Sequence, residues 1–288
     1  MSRFLMSLAA RFPLSILHAV GALLGWAIYG LSPTYRRHLR ENLMQAGFRD
    51  ARTRRAAIAS AGRMVTELPA VWLRPRSEAV ALVRRIDGAE QVLAAHAAGK
   101  GIAFFTPHLG CFEIAARSAA EHLPITALYR PPKMTWLQRM IERDRAGYNL
   151  HLARADLSGV RELLAALTRR EAVGILPDQV PGQGEGEWVE FFGRAAYTMT
   201  LGGKFVERPG VASFVAYGER LPHGQGYAVH IRPLPDAMPG ERGVQRLNRA
   251  IEALIRECPG QYLWGYNRYK RPAGAPEVGS KSGAPPLI

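Results

Sequence analysis

The sequence predicts an α/β fold: a central, largely parallel sheet flanked by helices, with an apolar helix ahead of it. Three observations carry this. Short apolar runs that read as buried strands alternate with amphipathic helical runs through most of the chain. Several of those strands end in turns bearing polar residues, at Thr106-Pro107-His108, Tyr129-Arg130-Pro131 and Leu176-Pro177-Asp178. An apolar stretch from Phe12 through Leu31, broken only by Ser15 and His18, precedes them all.

In order along the chain, that apolar stretch is at the short end of what spans a hydrocarbon core. Gly21 and Gly25 form a small-xxx-small step, and Trp26 and Tyr29 suit a membrane interface. A buried core helix fits the same stretch; a secretory signal would need a small-x-small cleavage site, and none follows before Ser32-Pro33. Arg36, Arg37, Arg40, Arg49, Arg52, Arg54 and Arg55 come next, against only Arg3 and Arg11 before it. The asymmetry places the carboxyl side in the cytoplasm, and the same arginines could lie on a helix against anionic headgroups. An amphipathic pattern then runs from Arg55 to Trp72. Val83 to Ile86 reads as a strand, Ala89 to Ala98 as a helix, and Ile102 to Phe105 as the central strand. Beyond its turn come helix Phe112 to Ala120, strand Ile125 to Tyr129, helices Trp136 to Arg145 and Gly159 to Arg169, and strand Ala172 to Leu176. Strands Val211 to Tyr217 and Tyr227 to Pro233 and helix Val244 to Cys258 complete the domain. The expected organisation is an anchor over 1–31, a main domain over 32–270, and a loose tail rich in Pro, Gly, Ser and Ala over 271–288.

Composition narrows the function. The 288 residues carry a net charge of +14, with 48% hydrophobic residues, enough for a sizeable core. A pI near 10.3 calls for an acidic partner: nucleic acid, an anionic membrane surface or an acidic protein. No zinc finger, aromatic RNA-binding signature or leucine zipper is present, which makes nucleic acid the weakest of these. Two cysteines, Cys111 and Cys258, make no disulfide framework and favour a reducing compartment. No Cys/His cluster has zinc spacing, and no metal is expected.

The chemistry concentrates at the turn after Ile102 to Phe105. Proline ends the strand because it has no ladder donor. His108 then sits at the strand's carboxyl end, where open α/β sheets bind ligands. Glu113 lies five residues on, so the two meet only if His108 is in the turn and Glu113 in the first helical turn. In that geometry Glu113 accepts from one ring nitrogen and leaves the other free as a base. The spacing fits equally a satisfied histidine near a helix start, with Glu113 complementing the helix dipole. Arg130, between strand and prolines, is placed to clamp a phosphate or carboxylate, or is a surface turn arginine. Asp178 and Gln179 bring an acid and an amide to the same crevice. Gly182 to Gly186 meets neither phosphate-loop spacing and suggests a mobile loop over an apolar slot lined by Phe191 and Phe192. Cys111, three residues from His108, is conceivable as a thiol nucleophile, though packing on the helix's inner face explains it too.

The series Thr106-Pro-His-Leu-Gly-Cys-Phe-Glu113, Tyr129-Arg-Pro131, Asp178-Gln179, Phe191-Phe-Gly193 and Gln261-Tyr-Leu-Trp264 resembles the bacterial lipid A biosynthesis (late) acyltransferases of the lysophospholipid acyltransferase superfamily. The resemblance covers nearly the whole chain, including the amino-terminal apolar segment. It implies a glycerolipid acyltransferase-like fold and an inner-membrane enzyme with its active site facing the cytoplasm. It implies fatty acyl transfer from acyl carrier protein to a hydroxyl of an anionic lipid A precursor, without a cofactor or a covalent enzyme intermediate. On that resemblance His108 is the general base, Glu113 orients and charge-stabilises it, Arg130 binds acceptor phosphate or braces the site, and Asp178 and Gln179 support them. Two positions depart from the family pattern: Cys111 stands where Asn is common, and Gly265-Tyr-Asn267-Arg268 follows Trp264 where a basic pair is frequent. Other readings are an acyltransferase for a lysophospholipid, lyso-ornithine lipid or glycolipid, and a non-catalytic basic protein that docks acyl carrier protein or lipid.

Overall fold

The computed structural model describes residues 2–132, 134–145, 147–182 and 184–278. The amino end is helical: Ser2–Ala10 (α1), Leu14–Leu31 (α2), Pro33–Gln45 (α3), Ala51–Thr66 (α4), Leu68–Trp72 (α5) and Arg76–Val80 (α6). Strands and helices then alternate as Val83–Asp87 (β1), Ala89–Ala97 (α7), Gly101–Phe105 (β2), Phe112–Ala120 (α8), Ile125–Tyr129 (β3), Thr135–Met140 (α9), Leu150–Arg154 (β4), Leu157–Thr168 (α10) and Ala172–Ile175 (β5). Gly186–Phe191 (β6), Arg194–Met199 (β7), Thr200–Val206 (α11), Val211–Arg220 (β8), Tyr227–Pro233 (β9) and Gly243–Glu257 (α12) follow.

Seven strands form one sheet in the order β1-β9-β8-β2-β5-β3-β4. Every pairing is parallel except β8 with β9, so the largely parallel sheet expected from the sequence is present. All five residues of β2 are buried, as a central strand covered on both faces requires. Its alternation sorts the two cores. Ile102 and Phe104 pack with Ile114 and Ala115 of α8 on one face; Ala103 and Phe105 pack with Leu163 of α10 and Leu247, Ile251 and Leu254 of α12 on the other.

The long helix expected over Arg55 to Trp72 is two, α4 and α5, joined at Glu67; Pro69 stands in the first turn of the second, where its missing N–H is harmless. The helix expected to Arg145 ends at Met140 and passes into a π-helical turn over Ile141–Arg145. Part of the arginine-rich stretch is helix α3, capped by the Ser32 hydroxyl with Pro33 behind it. Phe191 and Phe192 do not line a slot: both are buried under the β6–β7 hairpin, in the core that includes Tyr262 and Trp264. The described part of the expected tail meets that hairpin, with the Trp188 indole N–H donating to the Pro276 carbonyl at 2.7 Å; 279–288 lie outside the described residues.

Helix α2 is long and apolar enough to cross a membrane by length and composition. It lies along α4 through a glycine seam: a Cβ at Gly62 would overlap the Gly21 carbonyl, and one at Gly25 would overlap the Ile58 carbonyl. Leu14, Leu17, His18, Gly21 and Gly25 are buried in this contact, while Leu23 is 72% and Leu31 85% exposed, so the opposite face is a continuous apolar surface. Replacing Gly62 with Leu must separate the two backbones. We expect a loss of about 3 kcal/mol in stability, read as a lowered thermal unfolding midpoint in detergent.

Candidate active site

Register brings the site together. Phe105 of β2 pairs with Ile175 of β5, and three residues past each lie His108 and Asp178. The Thr106 N–H extends the ladder to the Ile175 carbonyl at 2.9 Å. Both turns therefore leave the sheet at one edge, side by side. The Asp178 carboxylate accepts from the His108 backbone N–H at 2.9 Å through Oδ2, and its Oδ1 lies 2.8 Å from His108 Nδ1.

This fixes the ring. With Nδ1 against a carboxylate the proton resides there, and Nε2 carries the free electron pair. Gln179 Nε2, a donor, sits 3.2 Å from His108 Nε2, consistent with an accepting nitrogen. Asp178 is buried and His108 partly so. Burial pushes the Asp178 carboxyl up; attraction to the His108 ring and hydrogen bonds from its side chain and backbone outweigh that, leaving the group below the ordinary aspartate range.

Glu113 is not the partner of His108 expected from the spacing. Among the described residues no hydrogen bond joins the two, because Asp178 holds Nδ1 and Gln179 faces Nε2. The Glu113 carboxylate, 3% exposed, accepts instead from Arg145 Nε at 2.7 Å and Trp72 Nε1 at 3.1 Å. Glu113 is taken up by these two donors rather than by the ring, although Phe112 beside it, in the first turn of α8, keeps its ring centroid 5.0 Å from that of His108. The buried ion pair, rare for groups so costly to desolvate, nevertheless belongs to the same site. His108, Glu113, Arg130, Arg145 and Gln179 line one cleft of about 340 Å3.

Arg130 stands at the rim of that cleft, exposed, with Nη2 3.9 Å from Glu185 Oε2. Phe112, Arg145 and Leu176 also line a neighbouring apolar pocket of about 60 Å3 between α8 and the sheet, reaching Phe104, Leu123 and Ile125.

Sequence reasoning placed His108, Arg130, Asp178 and Gln179 at one sheet edge but missed Arg145 and Trp72. Arg145 is one of three arginines in the span 139–145 with nothing local to single it out; only the π-helical turn, a feature frequent at functional sites, carries it inward. Trp72 comes from α5, distant in sequence from the strand ends.

Cys111 is buried, and burial is the chief cause holding its thiol well above the ordinary range. Cys258 is pushed up to about 12 chiefly by burial. Neither supplies a thiolate near neutral pH. Iodoacetamide at pH 8 is expected to leave both thiols unmodified in the native protein and to label both after unfolding, read by intact mass.

Against known proteins, the family described as bacterial lipid A biosynthesis acyltransferase matches residues 2–271. Two relatives come from Escherichia coli (strain K12). A lipid A biosynthesis lauroyltransferase is 29% identical over 226 residues, covering 75% of this chain and 72% of the relative. A lipid A biosynthesis palmitoleoyltransferase is 27% identical over 225 residues, covering 75% and 71%. A lipid A biosynthesis acyltransferase of Haemophilus influenzae is 29% identical over 189 residues, covering 62% and 56%.

Proposed function

The chain belongs to the bacterial lipid A biosynthesis acyltransferases, and we propose that it moves a fatty acyl group from the thioester of acyl carrier protein to a hydroxyl of a lipid A precursor, with His108 as general base. The observation that carries this reading is the His108 ring itself: Nδ1 is held by Asp178 while Nε2 faces the cleft.

The acceptor hydroxyl takes the place of the Gln179 amide at Nε2. Its proton passes to Nε2 as its oxygen bonds to the thioester carbon, and the carbonyl π pair moves onto oxygen. Collapse of that tetrahedral species re-forms the carbonyl and breaks the C–S bond; the sulfur leaves with the bonding pair and takes the proton from the imidazolium. Asp178 stabilises the imidazolium between these steps. Arg145, held in the cleft by Glu113, is a fixed cation able to lower the energy of the developing oxyanion. Glu113 acts through Arg145 as a positioning residue.

Substrate class rests on three supports. The apolar pocket sharing Phe112 and Leu176 with the cleft suits a hydrocarbon chain. Arg130 at the rim suits an acceptor phosphate. The +14 charge suits an anionic carrier protein and an anionic lipid. The exposed apolar face of α2, followed by Arg36, Arg37 and Arg40, supports seating on the cytoplasmic side of the inner membrane.

Mass spectrometry of a lipid A precursor incubated with acyl-loaded carrier protein and purified enzyme tests the reading. The expected result is a gain of one acyl chain. Acylation of a lysophospholipid instead would move the acceptor and keep the mechanism, and transfer to neither acceptor would overturn the enzyme reading.

A further inference from the structure

A buried chain of polar groups joins helix α2 to the His108 turn, and the reaction described above does not use it. His18, on the packed face of α2, places Nε2 3.1 Å from Glu67 Oε2. Glu67 accepts from Arg220 Nε at 2.8 Å and Nη2 at 2.7 Å, and from the Tyr227 hydroxyl at 3.1 Å. Arg220 also donates from Nη1 to the Ser60 hydroxyl at 2.8 Å and from Nη2 to the Gly110 carbonyl at 2.6 Å. Glu67 and Arg220 are both essentially inaccessible to solvent.

The Gly110 carbonyl lies two residues from His108, in a turn whose other backbone groups are also tied. Gly110 has φ +59°, and a Cβ there would overlap the Gly218 carbonyl. The Cys111 N–H donates to Gly218 O at 2.7 Å, the Gly110 N–H to Gln261 O at 3.1 Å, and the Leu263 N–H to His108 O at 3.0 Å. Arg220 reaches into this turn as a full cation on a carbonyl, a stronger hydrogen bond than a neutral one.

A buried ion pair is a poor device for stability alone, since apolar side chains of similar volume commonly serve as well or better. What apolar groups cannot supply is a directed donor for the Gly110 carbonyl. Burial pushes the Glu67 carboxyl up, and the Arg220 charge with hydrogen bonds from His18 and Arg220 outweighs it, bringing the group to about 2. Glu67 thus stays ionised at neutral pH and keeps the guanidinium aimed.

We propose that Arg220, aimed by Glu67, is a positioning residue for His108, and that His18 extends this hold to α2, making that helix a working part of the active site as well as an apolar surface. The proposal rests on His108 being the base named above.

The decisive variant is Glu67→Leu/Arg220→Met, which removes both charges together and avoids the orphaned ion that either single change would leave. It still removes partners of the Gly110 carbonyl and of the Ser60 and Tyr227 hydroxyls, so its thermal midpoint is expected to fall by several degrees, and kinetics are read well below that midpoint. Its kcat is expected to fall about 100-fold, the scale of a 1 Å misplacement at a reacting group, with KM for the lipid acceptor little changed. His18→Ala is expected to lower kcat about three- to tenfold in the same direction. Nitrogen-15 NMR of the His108 ring gives a readout independent of turnover, with a titration midpoint in the double variant displaced from wild type. An unchanged midpoint, or a folded double variant with wild-type kcat, would overturn the positioning role. Absence of transfer by the wild type would sink the proposed reaction alone, and the ring titration would still decide the role of Arg220. Should the double variant not fold, Arg220→Lys, which keeps the charge but loses the fork, is read by the same two measurements with the same criteria.

Discussion

In Asp178→Asn, acyl transfer is expected to fall roughly 100- to 10,000-fold, close to the loss in His108→Ala. Donors and acceptors decide the outcome. Asp178 offers two acceptors, one to the His108 backbone N–H and one to ring Nδ1. Asparagine offers one acceptor and one donor. The backbone N–H can only donate, so it takes the amide oxygen, and the amide NH2 is left facing Nδ1. The ring then carries its proton on Nε2, the nitrogen that must accept one from the hydroxyl. Steady-state kinetics of the two single variants and the double variant check this. Because the two residues act as a unit, the double variant should be no slower than His108→Ala alone; additive losses would show that Asp178 acts elsewhere.

Glu113→Ala is expected to abolish transfer for a different reason and to lower the thermal midpoint by about 10 °C. It leaves the Arg145 guanidinium, 7% exposed, without its counter-charge, a loss of about 3–5 kcal/mol, and a chain of this size moves a few degrees per kcal/mol. Glu113→Gln, which keeps an acceptor for the Trp72 indole, should be milder in stability. Its pH–rate profile is the informative measurement. With Asp178 as the partner of His108, the Gln variant should show a reduced rate with the wild-type profile shape. A profile altered as in Asp178→Asn would restore Glu113 as the group that tunes the ring.

Most of the sheet was legible because its strands are short apolar runs closed by proline turns, and a strand's carboxyl end is a local property. The residues at those ends, His108, Arg130 and Asp178, could therefore be placed at one edge without knowing strand order. Which of them touch was not legible. The pairing of β2 with β5, three residues below His108 and Asp178, is a matter of register between segments about 70 residues apart, whereas the His108–Glu113 spacing invites a local pairing that gives way to Arg145 and Trp72 as the partners of Glu113. Arg145 was hidden similarly, since a π-helical turn leaves no periodic mark. The β6–β7 hairpin was misread because Phe191 and Phe192 look like a slot from composition, yet Phe192 with φ +49° and Gly193 with φ +71° form its tight turn, and the rings pack inward.

The sequence separations within the buried chain set an order of assembly on the ribosome. His18 and Glu67 are 49 residues apart, and the glycine seam between α2 and α4 lies within the same span, so the apolar helix can be sheathed on one side soon after it emerges. Arg220 follows Glu67 by 153 residues, which at ordinary elongation rates is a delay on the order of 10–30 s. Throughout that interval Glu67 lacks the Arg220 guanidinium, and β2 lacks its neighbour β8. The nascent protein can thus hold a settled amino-terminal helical pair while its catalytic turn has nothing to rest on, and the turn acquires its shape only as the last third of the chain is delivered.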